Sequence, residues 1–112
     1  MPKLKLVSIN CMQTDETDKD EIYLKVGEKK IWPVKPKFYA IDVDEQVSIN
    51  LGFKIPEGRT VSIDLWEYDY LDANELLGSF EFKVQESGSF SEMMSNLKGE
   101  GEASYVLNYE VS

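Results

Sequence analysis

The chain has no histidine, a single cysteine (Cys11) and only four prolines in 112 residues. Without histidine, the usual general base near neutral pH and the imidazole ligand of catalytic metal sites are both missing. A lone cysteine excludes an intrachain disulfide, so the fold must be held by burial, and a reducing compartment suits it. Long apolar runs are also lacking. Nothing approaches the roughly 20 residues of a membrane-spanning helix, and Met1-Pro2-Lys3-Leu4-Lys5-Leu6 carries no signal-peptide core, so a soluble, cytoplasmic chain is expected. Basic residues are scarce: 12 against 21 acidic ones leave a formal charge of −9. That field repels nucleic acid, and no basic stripe interleaved with aromatics offsets it.

What remains is an ordinary globular composition, 42% apolar and 29% charged, in a length that suits one folding unit over residues 1–112. Its dominant pattern is alternation with period two. Val47, Ile49, Leu51, Phe53 and Ile55 occupy consecutive odd positions, with Ser48, Asn50, Gly52 and Lys54 between them. Pro56-Glu57-Gly58-Arg59 supplies turn chemistry before Val61, Ile63 and Leu65 resume the pattern. Further runs are Phe80, Phe82 and Val84; Ala103, Tyr105, Leu107, Tyr109 and Val111; and Ile22, Leu24 and Val26, the last turning at Gly27-Glu28 into Lys29–Trp32. In the first run, Leu4 and Leu6 are even while Val7, Ile9 and Cys11 are odd, so a β-bulge is predicted near Leu6-Val7. That phase turns Cys11 inward, as a buried thiol rather than a nucleophile. Residues 38–41 predict a short edge strand behind Pro33 and Pro36. Only residues 90–97 have helical spacing, with Phe90, Met93, Met94 and Leu97 on one face, predicting a turn or two of helix. Crossover helices are absent, so the fold class is all-β: an antiparallel two-sheet sandwich of seven or eight strands.

Nine of the 21 acidic residues fall in two interstrand segments. Asp15, Glu16, Asp18, Asp20 and Glu21 follow the first strand; Glu67, Asp69, Asp72 and Glu75 follow Trp66. Such clusters are either solvated loops or hard oxygen ligands of the kind Ca²⁺ takes. An EF-hand is excluded, because no register beginning at Asp15 or Asp18 has both the glycine at position six and the glutamate at position twelve.

The stretch Leu65-Trp66-Glu67-Tyr68-Asp69-Tyr70, ending in Glu75-Leu76-Leu77-Gly78, resembles the third calcium-binding loop of C2 domains. In that family a Trp-Asp-x-Asp pattern is followed six residues later by a further aspartate, an apolar pair and glycine. Asp15, five residues and then Glu21-Ile22-Tyr23-Leu24-Lys25-Val26 is similar to the family's first loop, where two aspartates six apart precede Pro-Tyr-Val-Lys-Val. Here Glu stands for Asp at 21, 67 and 75, and Ile22 for the proline. The resemblance implies a C2-like sandwich with Ca²⁺ held by Asp15, Glu21, Glu67, Asp69 and Glu75; Asp18, Asp20 and Asp72 are substitute ligands, and Asp20 is counted with the expected set as its sixth member. It also implies contact with an anionic membrane surface or a protein partner, since many members bind no calcium and work through protein contacts.

Lys29, Lys30, Lys35 and Lys37 flank Trp32 and offer a second route to lipid head groups; a guard against edge pairing is the plainer role. Trp66 and Tyr68 lie on the polar phase, either as a partner-binding patch or as cross-strand stacks. No serine has an evident base, and a sandwich this small has little room for a substrate cleft, so a non-enzymatic binding module is expected. The rival expectation is a metal-free structural or interaction protein.

Overall fold

Alternating runs become strands because each can turn one apolar face to a common core. The computed structural model of the chain describes residues 2–15, 17–96 and 102–112. Among them are nine strands and no helix: β1 (Lys3–Gln13), β2 (Asp20–Val26), β3 (Lys29–Trp32), β4 (Tyr39–Ile41), β5 (Gln46–Lys54), β6 (Thr60–Glu67), β7 (Glu75–Lys83), β8 (Gly88–Met93) and β9 (Ser104–Val111). One sheet has the order β5-β1-β9-β8 and the other β3-β2-β6-β7, with β4 also pairing β2. Every pairing is antiparallel. Inward residues of both sheets, among them Leu6, Ile9 and Leu107 from the first and Leu24, Ile63 and Phe80 from the second, form one core.

The predicted bulge lies where the apolar phase slips. The β1–β9 register shifts between Leu6 and Ser8, so Val7 is the extra residue, and Leu4, Leu6, Ile9 and Cys11 all face inward. The edge strand expected at residues 38–41 is β4, which pairs Tyr39, Ala40 and Ile41 with Ile22, Glu21 and Asp20.

The helix expected over residues 90–97 is not formed. Its first part is β8, which pairs along β9 from Gly88 opposite Val111 to Met93 opposite Val106; Leu97 lies outside the described residues. A short isolated helix gains little, whereas the open edge of β9 satisfies a full row of backbone groups. Phe90 stacks on Tyr109 at 5.4 Å between centroids, Met93 is exposed, and Met94 alone turns into the core. Among the described residues this strand brings the total to nine, one beyond the expected upper count.

After β8 the chain crosses to the other sheet. Ser79 and Ser95 exchange two backbone hydrogen bonds of 2.9 and 2.8 Å, closing that edge of the sandwich. The crossing explains Gly78: a Cβ there would lie 2.5 Å from the Ser95 carbonyl oxygen and 2.7 Å from Met94 Cγ.

Candidate functional site

Antiparallel pairing carries the two acidic segments to one end. Ile22 at the start of β2 opposes Glu67 at the end of β6, and the Tyr68 amide donates to the Glu21 carbonyl at 2.8 Å. Glu67 then opposes Glu75 across β6 and β7, a like-charged pair that costs repulsion when both are ionised. Glu67 is buried because it continues the inward phase of Ile63 and Leu65. Asp15, from the β1–β2 connection, completes a three-carboxylate group: oxygens of Asp15, Glu67 and Glu75 all lie within 4.8 Å of one another.

Beside this group is a concavity of about 330 Å³, lined by Glu67 and Glu75 together with Asp18, Glu21, Asp69 and the cation Lys19; Thr17, Tyr68 and Tyr70 complete the wall. Four of the six residues expected at a cation site thus share this hollow, and Asp15 joins two of them from the side. Asp72 is exposed on the neighbouring loop, and Glu16 lies outside the described residues.

Asp20 is placed differently from the other five. It follows the inward phase of Ile22 and Leu24 and is fully buried. Its Oδ2 accepts the Tyr105 hydroxyl at 2.6 Å, and its two oxygens accept the Asp15 amide at 2.9 and 3.1 Å. Burial, reinforced by the hydrogen bond to Asp20, pushes the Tyr105 hydroxyl far above its ordinary range, so it remains a donor across the working pH range. Burial likewise raises the thiol of Cys11, which pairs with Tyr105 across the strands, and keeps it from acting as a nucleophile.

The β6–β7 connection is shaped by its own side chains. Asp69 Oδ1 accepts the amides of Leu71 and Asp72 at 2.9 and 3.3 Å. The Asp69 amide donates to Asn74 Oδ1 at 2.9 Å, and Asn74 Nδ2 donates to the Tyr23 hydroxyl at 2.8 Å. Tyr68 and Tyr70 gather with Phe38 at centroid distances of 5.0 to 6.2 Å, and the adjoining Leu71 is 93% exposed. Trp66 stacks on its cross-strand partner Tyr23, with the Lys25 ammonium 5.1 Å above its ring.

Of the lysine group, Lys29, Lys35 and Lys37 are exposed, Lys37 with its ammonium 5.7 Å over the Tyr68 ring. Lys30 is half-buried, and its ammonium donates to the Pro36 carbonyl. Three contributors were not anticipated: Tyr105, Asn74 and the Glu102 amide, which donates to Asp15 Oδ1 at 3.3 Å. Tyr105 reads as a core aromatic by phase, and nothing local marks what its hydroxyl meets. Asn74 sits between Asp69 and Glu75 in a loop rich in turn formers, a signal that could have been used.

No protein-family model matches the chain, and no curated protein matches it in sequence. In three dimensions it is similar to a solved structure described as a C2 domain, with a TM-score of 0.55 and 12% identity over 99% of this chain and 96% of that one. It is also similar to a C2 domain of plant extended synaptotagmin 1, with a TM-score of 0.51 and 12% identity over 99% of this chain and 92% of that one. Two packed antiparallel sheets, matched over nearly their whole length, give this chain the C2-like β-sandwich fold.

Proposed function

We propose that this chain is a non-enzymatic binding module whose acidic end takes up Ca²⁺ and, with the surface beside it, contacts anionic phospholipid or a protein partner. The observation that carries the reading is the approach of Asp15, Glu67 and Glu75, whose oxygens lie within 4.8 Å of one another although they come from separate segments. Oxygens bound to one Ca²⁺ at 2.3–2.6 Å are at most about 5 Å apart, so the group is compatible with a shared ion. A cation there offsets the repulsion between Glu67 and Glu75. Glu21 and Asp69, on the wall of the adjoining hollow, are the next oxygens available. Positions left open on the ion would accept phosphate oxygens, reversing the local field of an acidic end.

The test is a melting curve with and without millimolar Ca²⁺. Binding to the folded state alone adds about 2.7 kcal/mol at a hundredfold excess over Kd, with Mg²⁺ giving less. Glu67→Gln should abolish the calcium shift while leaving the protein folded. An unmoved wild-type curve would sink the cation reading.

The exposed aromatics favour a second, metal-free reading. Tyr70 is exposed beside Phe38 and Tyr68, and tyrosine is a typical anchor of protein contacts. Under this reading calcium has no effect and Tyr70→Ser weakens capture of a protein partner. The lysines offer a third contact: vesicles containing inositol lipid should co-sediment with wild type, and less with Lys29, Lys35 and Lys37 changed to Gln. If wild type never sediments with such vesicles, the lysines serve only to guard the edge.

A further inference from the structure

We infer that Tyr105 and Asp20 are positioning residues for Asp15: through them the core of the sandwich sets the conformation of the β1–β2 connection and the geometry of the carboxylate group at its end. The consequence for affinity rests on the proposed cation reading; the consequence for the connection itself does not.

Asp20 is a fully buried carboxylate at the first position of β2, and Tyr105, also fully buried, meets it from the other sheet. The hydroxyl fixes one carboxylate oxygen at 2.6 Å, and both oxygens take the Asp15 amide. With its acceptor held in the core by the Tyr105 hydroxyl, the Asp15 amide is tied to a point inside the fold. Its side chain is fixed from the same strand end, since Glu102, three residues before Tyr105, donates its amide to Asp15 Oδ1. The segment from Glu102 into β9 therefore holds Asp15 twice, once through Tyr105 and Asp20 and once directly. Glu67 and Glu75 are registered by their strands, which leaves Asp15 as the member of the group whose place depends on this link.

The experiment compares wild type, Tyr105→Phe and Ile63→Val, the last a mild core change within β6, opposite Phe80 and four residues before Glu67. Two quantities are read on folded protein at low temperature: amide hydrogen exchange of Asp15 relative to strand amides, without metal, and affinity for Tb³⁺ as a Ca²⁺ substitute. Tyr105→Phe should selectively speed exchange at Asp15. It should also weaken Tb³⁺ binding by roughly tenfold to a hundredfold, the usual loss when a partner that orients a metal ligand is removed. Ile63→Val should change neither. If Asp15 exchange in Tyr105→Phe matches wild type, the positioning role is overturned whatever the metal does. Faster exchange with no Tb³⁺ binding even in wild type supports positioning and removes the cation reading instead. Faster exchange with unchanged Tb³⁺ affinity overturns the link between the core and the carboxylate group.

Discussion

The connection between β1 and β2 is held from beneath, by a carboxylate that lies in the core and reaches up to the Asp15 amide, whereas the connection between β6 and β7 is folded mainly from within, by Asp69 and Asn74 bonding to their own neighbours, with one tie outward from Asn74 to the Tyr23 hydroxyl. Both carry acidic side chains to one end of the sandwich. Their dependence on the rest of the molecule differs accordingly. A change at the Tyr105–Asp20 pair should be felt at Asp15 and not at Asp69, and a change in the outer loop should reshape Asp69 while the β1–β2 connection stays in place.

Asp20→Ala should give the largest effect that tests this contrast. It removes the Asp20 acceptor of the buried Tyr105 hydroxyl and frees the Asp15 amide, a loss of about 2 kcal/mol. Urea denaturation measures it. A cost within about 0.5 kcal/mol, as for an ordinary surface change, would break the contrast, since Asp20 would then be no anchor.

Alkaline pH should act on the same anchor more gradually. Burial raises Tyr105 and Tyr109 above their ordinary value of 10.0 and Cys11 above 9.0. The unfolded chain gives up these protons first, so the stabilisation is complete below the ordinary values, falls as pH rises above them and is lost as pH reaches the raised values of the folded state. Each group contributes a slope of about 1.4 kcal/mol per pH unit once the unfolded form is ionised. Tyr105→Phe should remove one proton's share of that slope in denaturation curves between pH 9 and 11; an unchanged slope would show that Tyr105 is not held protonated.

Asn74→Ala sharpens the contrast from the other side and should have the smallest effect. It removes the acceptor of the Asp69 amide and the donor to Tyr23 in an exposed loop, costing about 1 kcal/mol. Amide shifts should move over residues 69–75 and stay still at Asp15. Movement at Asp15 would mean that the two connections are one unit.

The anchored connection was only half legible in the sequence. Asp20 stands two residues before Ile22 and four before Leu24, so alternation alone turns it inward, and the same logic places Glu67 after Ile63 and Leu65. What makes an inward carboxylate tolerable is a partner 85 residues away, and periodicity carries no information about that. The slip between Leu6 and Val7 was readable because a bulge is a local miscount, visible wherever an apolar phase breaks. Residues 90–94 misled for the opposite reason. The spacing of Phe90, Met93 and Met94 suits a helix face, but the edge of β9 was available to pair with, and pairing decided the outcome.

Asn50 bears on a different matter, the behaviour of this chain in a crowd. β5 is an edge strand of nine residues in which Ile49 is buried while Val47, Leu51 and Phe53 are only partly covered, the kind of border along which identical chains add to one another. Midway along it Asn50 takes a φ of 55°, and the pairing with β1 skips a step between Ser48 and Leu51. A straight ladder cannot run past that kink, so a second copy approaching β5 finds only a short stretch on either side to pair with. One residue in a left-handed conformation thus makes the border a poor template for aggregation.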